Sequence, residues 1–175
     1  MSAENLISTY RESEFSWIRC EGKGSFLNSA ALKEWADGEI DNGVSCVVVD
    51  LSECSGMDST FMGTLAGLAM RLMKVPDGTL QIAASGAKNR SSLEGLGLDS
   101  LIAIEPQRAV WRGKTDHVRA NLKPYDHSQG KAAEAPDVLE AHKKLCAADD
   151  RNKEKFGTVL EFLEAEVNAK NNAEK

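Results

Sequence analysis

Short apolar runs alternate with amphipathic stretches along the N-terminal part of the chain. Leu6 to Arg11 and Phe15 to Cys20 read as strands joined by a polar turn at Ser13-Glu14, which predicts an N-terminal hairpin. The run from Gly22 to Ser29 then reads as a loop. Leu32, Trp35, Ala36 and Ile40 recur at helical spacing, so a helix is expected from about Ala30 to Ile40, capped by Asn28 or Ser29. Cys46 to Leu51 is short, apolar and β-branched, the pattern of a strand covered on both faces of a parallel sheet. A polar loop leads from it into Thr60 to Met73, where Phe61, Leu65, Leu68 and Leu72 mark a helix and Asp58 and Ser59 supply capping oxygens at its start. Pro76-Asp77-Gly78 reads as a turn, Leu80 to Ala84 as a strand, Asn89 to Leu96 as a short helix ended by Gly97, and Leu98 to Ile104 contains a last strand. Strands alternating with helices predict an α/β fold on a mixed, mostly parallel sheet.

Beyond these elements the pattern changes. Lys123 to Pro136 is poor in bulky apolar residues and reads as a linker. Val138, Leu139, His142, Leu145 and Cys146 share one face of a helix, Asp149-Asp150 interrupts it, and Phe156, Val159, Leu160, Leu163 and Val167 form the face of a second. The expected organisation is a domain over 1–107, a linker over 108–135 and a helical hairpin over 136–170. A pair of helices this short does not bury both faces alone, so it packs on the core, on a second copy or on a partner. Glu161, Glu164 and Glu166 make its second helix acidic, which argues against a basic membrane-surface helix.

The junction between the apolar strand and its following helix carries the candidate chemistry. Met57-Asp58-Ser59-Thr60-Phe61-Met62-Gly63 places one hydroxyl where loop becomes helix. The segment resembles the signature of the STAS domain, the family of bacterial anti-sigma factor antagonists, in which a strand and an Asp precede a Met/Leu-Asp-Ser-Ser/Thr-x-x-Gly helix start. The resemblance implies a STAS-like sheet with packed helices and makes Ser59 the phosphoacceptor, with Thr60 as a second candidate. It further implies that Asp58, Ser59, Thr60, Met62 and Gly63 belong to a partner-binding face. The loop after the second strand lies beside that face in the family, which adds Phe26 and Asn28. Here Ser25-Phe26-Leu27-Asn28 stands where the family usually has an acidic turn, a departure that points to different partner specificity.

By the same resemblance the partner is a serine kinase of the histidine-kinase-like ATPase type that doubles as an anti-sigma factor, reset by a metal-dependent Ser/Thr phosphatase. The ATP belongs to that kinase, and the chain itself calls for no cofactor. The alternatives are an accessory subunit of a membrane ABC-type lipid transporter and a scaffold of a stress-sensing assembly; a homodimer is a further candidate. The physics of the position suits a switch. A phosphoryl group brings close to two negative charges, which a helix N-terminus tolerates, while a docked acidic or apolar partner does not.

Composition narrows the classes. A chain of 175 residues with formal net charge -6 and no Lys/Arg cluster interleaved with aromatics argues against nucleic acid. No apolar run approaches the about 18 residues of a membrane span, and the N-terminus lacks a leader pattern, so a cytoplasmic location without membrane insertion is expected. Cys20, Cys46, Cys54 and Cys146 show no C-x-x-C spacing, so neither zinc nor a disulfide framework is indicated, and nothing cationic adjoins Cys54 in sequence. Gly22-Lys23-Gly24-Ser25 lacks the Walker spacing. A serine hydrolase needs a base near Ser59, and the three histidines, His117, His127 and His142, fall outside the core pattern. Asp50 resembles a receiver aspartate, but no acidic pair follows the first strand, which leaves it a loop-orienting role. No catalytic residue and no metal site are expected.

Overall fold

The computed structural model describes residues 6–126 and 132–174. The chain forms β1 (Leu6–Arg11), β2 (Ser16–Gly24), α1 (Ser29–Asp41), β3 (Cys46–Asp50), β4 (Cys54–Met57), α2 (Ser59–Leu72), β5 (Thr79–Ala83), α3 (Gly86–Gly95), β6 (Ala103–Ile104), α4 (Thr115–Ala120), β7 (Lys123–Pro124), α5 (Ala135–Ala148) and α6 (Arg151–Ala173). The sheet runs β6-β5-β3-β2-β1-β7, with β4 continuing beside β2. β2, β3, β5 and β6 pair in parallel, β4 lies parallel to β2, and β1 is antiparallel to both β2 and β7. This is the expected mixed, mostly parallel α/β sheet with packed helices and a C-terminal helical hairpin.

All five residues of β3 are buried, and they divide by parity. Val47 and Val49 face a core that contains Leu32, Phe61, Leu65, Leu72 and Leu93, while Cys46 and Val48 face a second cluster around Phe15, Trp17, Trp111 and Val118. Layers on both faces of the sheet explain why the strand reads as continuously apolar.

Two features depart from the sequence expectations. β2 continues through Gly24, which was expected in a loop, because Gly22, Lys23 and Gly24 pair with Cys54, Gly56 and Met57 of the unexpected strand β4. The interval 108–135, expected to be a linker, carries α4 and β7 among its described residues. Trp111 and Val118 are buried there against the second sheet face, and the Trp111 indole donates to Gln81 Oε1 at 2.7 Å. Of the packings open to the hairpin, on the core, on a second copy or on a partner, the structure shows the first: α5 lies along α2, and Leu145 joins the main core. No helix among the described residues is long and apolar enough to cross a membrane.

Asp50 is fully buried at the end of β3. Its carboxylate accepts from the Ser52 amide at 2.9 Å, as a loop-orienting residue does, and also from Arg119 Nε at 3.0 Å and Nη2 at 3.2 Å and from the Trp17 indole at 3.3 Å. The Arg119 pairing was not foreseen, because it depends on α4, which has no periodic signal of its own.

Candidate functional site

Asp58 has extended backbone and stands at the N-cap of α2. One carboxylate oxygen accepts from the Phe61 amide at 2.8 Å, satisfying a first-turn N–H; the other accepts from the Phe26 amide at 2.9 Å. The Asp58 amide donates to the Gly24 carbonyl at 2.8 Å. A single residue therefore starts the helix and ties it to the 25–28 loop. Gly24 is required beneath this junction, since a Cβ there would lie 2.9 Å from the Phe61 ring.

Asn28 occupies the N-cap position of α1 as expected, but its side chain does not cap the helix. It is 4% exposed; Oδ1 accepts from the Ser25 amide at 2.9 Å, and Nδ2 donates to the Lys23 carbonyl at 3.1 Å. Asn28 braces the loop from inside, whereas Phe26 and Leu27 beside it remain 46% and 54% exposed.

Ser59 is the first residue of α2 and half-buried. Its oxygen does not cap the helix, contrary to the expectation from sequence, because Asp58 already fills that role. Instead Oγ lies 2.9 Å from Nε2 of His142 on α5. His142 Nδ1 is 2.7 Å from the Val138 carbonyl, which can only accept, so Nδ1 carries a proton and in the neutral ring Nε2 accepts from the Ser59 hydroxyl. Phe156 of α6 packs edge-on against the imidazole, with centroids 5.2 Å apart. Thr60 and Met62 are buried at 5% and 8% exposure. At Gly63 the two helices meet backbone to backbone: a Cβ there would lie 2.3 Å from the Ala141 carbonyl oxygen.

The structure thus brings Phe26, Asp58, Ser59 and Gly63 to one end of the domain, sets Asn28, Thr60 and Met62 beneath them, and adds His142 from the C-terminal hairpin. The expectation that no base stands near Ser59 is corrected. Ser59 and His142 have the spacing of a nucleophile and a base oriented by a third group. Yet the Phe61 amide is already taken by Asp58, and neither the cavity between α1, α2 and α5 nor the one beside Thr9, Trp35 and Lys123 is walled by Ser59 or His142. The pair forms a contact between two elements. One sequence signal for it was a histidine on an otherwise apolar helix face.

Cys54 likewise has spatial neighbours that its sequence does not announce. A hydrogen bond from the Cys20 thiol, followed by backbone interactions at Gly56 and Gly24 and the charge of Lys88, draws the Cys54 thiol below the ordinary cysteine range, while that same interaction and then burial push Cys20 up. Lys88 comes from α3 and donates to the Ser55 carbonyl at 3.0 Å.

The STAS domain family model matches residues 7–110, a span that contains the whole Phe26–Asp58–Ser59–Gly63 cluster and ends before the hairpin. Among solved structures, a crystal structure of TM1081 from Thermotoga maritima, described as a candidate anti-sigma factor antagonist, superposes with a TM-score of 0.53 at 16% identity, covering 65% of this chain and 94% of that one. An anti-sigma factor antagonist from Mycobacterium paratuberculosis superposes with a TM-score of 0.51 at 20% identity, covering 68% of this chain and 99% of that one. At these identities the likeness is one of fold. No curated protein matches the chain.

Proposed function

This chain belongs to the STAS family, and on that premise we propose that it is a partner-switching regulator of the anti-sigma factor antagonist type, with Ser59 as its phosphoacceptor. The observation that carries the reading is the placement of Ser59. It follows the Asp58 cap as the first residue of α2, and its hydroxyl is free of any capping duty within the domain. A phosphoryl group here adds about two negative charges and three acceptor oxygens beside first-turn N–H groups and the positive end of the helix dipole, so the fold tolerates it. A partner seated on the same end meets that charge directly.

In this reading the unphosphorylated chain binds a serine kinase of the histidine-kinase-like ATPase type that otherwise holds a sigma factor. The kinase transfers phosphate to Ser59 and lets go, and a metal-dependent Ser/Thr phosphatase restores the binding form. Asp58 presents the acceptor, Phe26 offers an exposed apolar anchor, and Asn28 keeps that loop in shape. Thr60 is buried and needs a local opening to serve as a second acceptor.

The test uses wild-type, Ser59→Ala and Ser59→Asp baits on native cytoplasm and solubilised membrane, with phosphopeptide mapping of the endogenous protein. Capture of an ATP-binding kinase by wild type and Ser59→Ala but not by Ser59→Asp, with phosphate on Ser59, is the expected result. Recovery of transporter subunits whatever stands at position 59, with Ser59 unmodified, would overturn it in favour of an accessory role.

A further inference from the structure

The hairpin α5–α6 lies outside the family match, yet it sits on the family's signature. Three contacts place it there. His142 takes the Ser59 hydroxyl, the Ala141 carbonyl closes on Gly63 one turn further along α2, and the Ala133 amide donates to the Phe26 carbonyl at 2.7 Å. Leu139, Ala141, His142, Leu145 and Cys146 are the buried positions of α5. The turn between the helices is fixed at the far end by Asn152, which is fully buried and donates to the Leu96 carbonyl at 2.9 Å and to the Leu145 carbonyl at 2.8 Å. The seam is loosely packed: between α1, α2 and α5 a cavity of ≈ 630 Å³ is walled in part by Lys33, Asp37, Arg71, Glu140 and Lys144. Charged walls and an unfilled volume distinguish it from a sealed core, and they keep separation of the two surfaces affordable.

We propose that the helical hairpin is an intramolecular occupant of the partner-docking face, and that its docking and phosphorylation of Ser59 exclude one another. The proposal rests on Ser59 being the acceptor. Phosphoryl transfer forms an Oγ–P bond, breaks the bond from the γ-phosphorus to the bridging oxygen of a nucleoside triphosphate held by the kinase, and sends the Oγ proton to a base. In the docked state that proton points at His142 Nε2, and α5 stands beside the hydroxyl where a kinase must close around it. Transfer removes the proton that Oγ donates to Nε2 and sets three phosphate oxygens beside a ring that lies 2.9 Å from Oγ. His142 is 4% exposed, tied to Val138 and backed by Phe156, so it has no room to swing aside. The helix must lift. Because the two states exclude each other, the population of the open hairpin scales the apparent affinity for any partner of this face.

Two measurements on the full-length chain test this. The first installs phosphoserine at position 59 by genetic encoding and follows amide hydrogen exchange: the α5 segment 138–146 is expected to exchange about tenfold faster or more, with β3 unchanged. Unchanged exchange in α5 overturns the exclusion while leaving Ser59 free to be the acceptor. The second staples the hairpin with Gly67→Cys and Lys144→Cys, since a Cβ on Gly67 would lie 3.4 Å from Lys144 Cγ. Oxidised and reduced forms are incubated with native host extract and ATP, and phosphate on Ser59 is quantified. The oxidised staple is expected to suppress it about tenfold, with recovery on reduction and an increase in His142→Ala. Equal phosphate in the oxidised and reduced forms overturns the occupant role and keeps the acceptor. No phosphate on Ser59 in any form overturns both.

Discussion

Gly63→Ala sets helix propensity against helix packing at a single methyl group. In an exposed helix interior this exchange stabilises by up to about 1 kcal/mol. At Gly63 the new Cβ would lie 2.3 Å from the Ala141 carbonyl oxygen, 2.6 Å from its carbon and 2.8 Å from the Ala141 Cβ. That is short of ordinary contact by about 1 Å or more, and a retreat of α5 by that much forfeits a quarter to a half of each contact along the seam. Overpacking of this kind costs about 1–3 kcal/mol, so after the propensity gain the net effect is a loss of up to about 2 kcal/mol. Gly38 is the matched control: it lies inside α1, a Cβ there meets nothing within 4 Å, and Gly38→Ala should stabilise by about 0.5–1 kcal/mol. Urea denaturation followed by circular dichroism reads the signs, and hydrogen exchange locates them, with protection lost in α5 and retained in β3. Adding Ala141→Gly should not rescue the variant, because the nearest obstacle is backbone. A Gly63→Ala protein as stable as the parent with α5 protection unchanged, or a full rescue by Ala141→Gly, would refute the backbone approach of α2 and α5.

Three other perturbations probe the parts around the site. Arg119→Met leaves the fully buried Asp50 carboxylate without its cation and should cost about 3 kcal/mol or more in a denaturant titration; a loss within experimental scatter would show that Ser52 and Trp17 suffice. Cys54, drawn down chiefly by the Cys20 hydrogen bond with help from Lys88, should reach half-maximal iodoacetamide labelling at a lower pH than an ordinary thiol, and Lys88→Met should move that point upward. Asp149 is held at about 2, below its ordinary 3.8, first by its side-chain bond to Arg151 and then by the Arg151 amide. A depressed carboxylate stabilises the fold above its unfolded value and loses that contribution as pH falls through the folded one. Exchange protection at the α5–α6 turn should therefore decline between pH 3.8 and about 2 and lose this step in Asp149→Asn.

The parts of the fold legible in the sequence were those with local causes. β3 and α2 announce themselves through apolar period and a capping aspartate, and Asp58 does in the structure what its position implied. β4 did not, because Cys54-Ser55-Gly56-Met57 has no β-branched residue; it becomes a strand only because the end of β2 runs alongside it. α4 is six residues long with Val118 as its buried position, too short for a periodic signal. The Ser59–His142 contact joins residues 83 apart in sequence, and nothing near Ser59 encodes it. Two marks were nevertheless present. Gly63 and Gly67 put a bare strip on α2 where another backbone can approach, and His142 is the polar member of the apolar face that α5 turns inward. Each has a bland reading alone, and only the docked geometry shows that they fit each other.

Tethering fixes how demanding such an arrangement is for a partner in trans. A segment joined to its own docking face sits at an effective concentration of order millimolar, about a thousandfold above a free partner at micromolar concentration. At equal intrinsic affinity the partner is outcompeted about a thousandfold, a handicap of about 4 kcal/mol. It must therefore engage surface that the hairpin leaves open. Phe26 and Leu27, 46% and 54% exposed with the hairpin in place, are such a surface, and the Phe26 amide is bonded directly to the Asp58 carboxylate that caps the Ser59 helix. A ligand that begins on this loop gains contact area before it has to separate Ala141 from Gly63, and the free energy gained there offsets opening of the seam. The departure of Ser25-Phe26-Leu27-Asn28 from the acidic turn usual in the family and the presence of a hairpin over Ser59 are then two sides of one arrangement, in which an added cover calls for an added foothold.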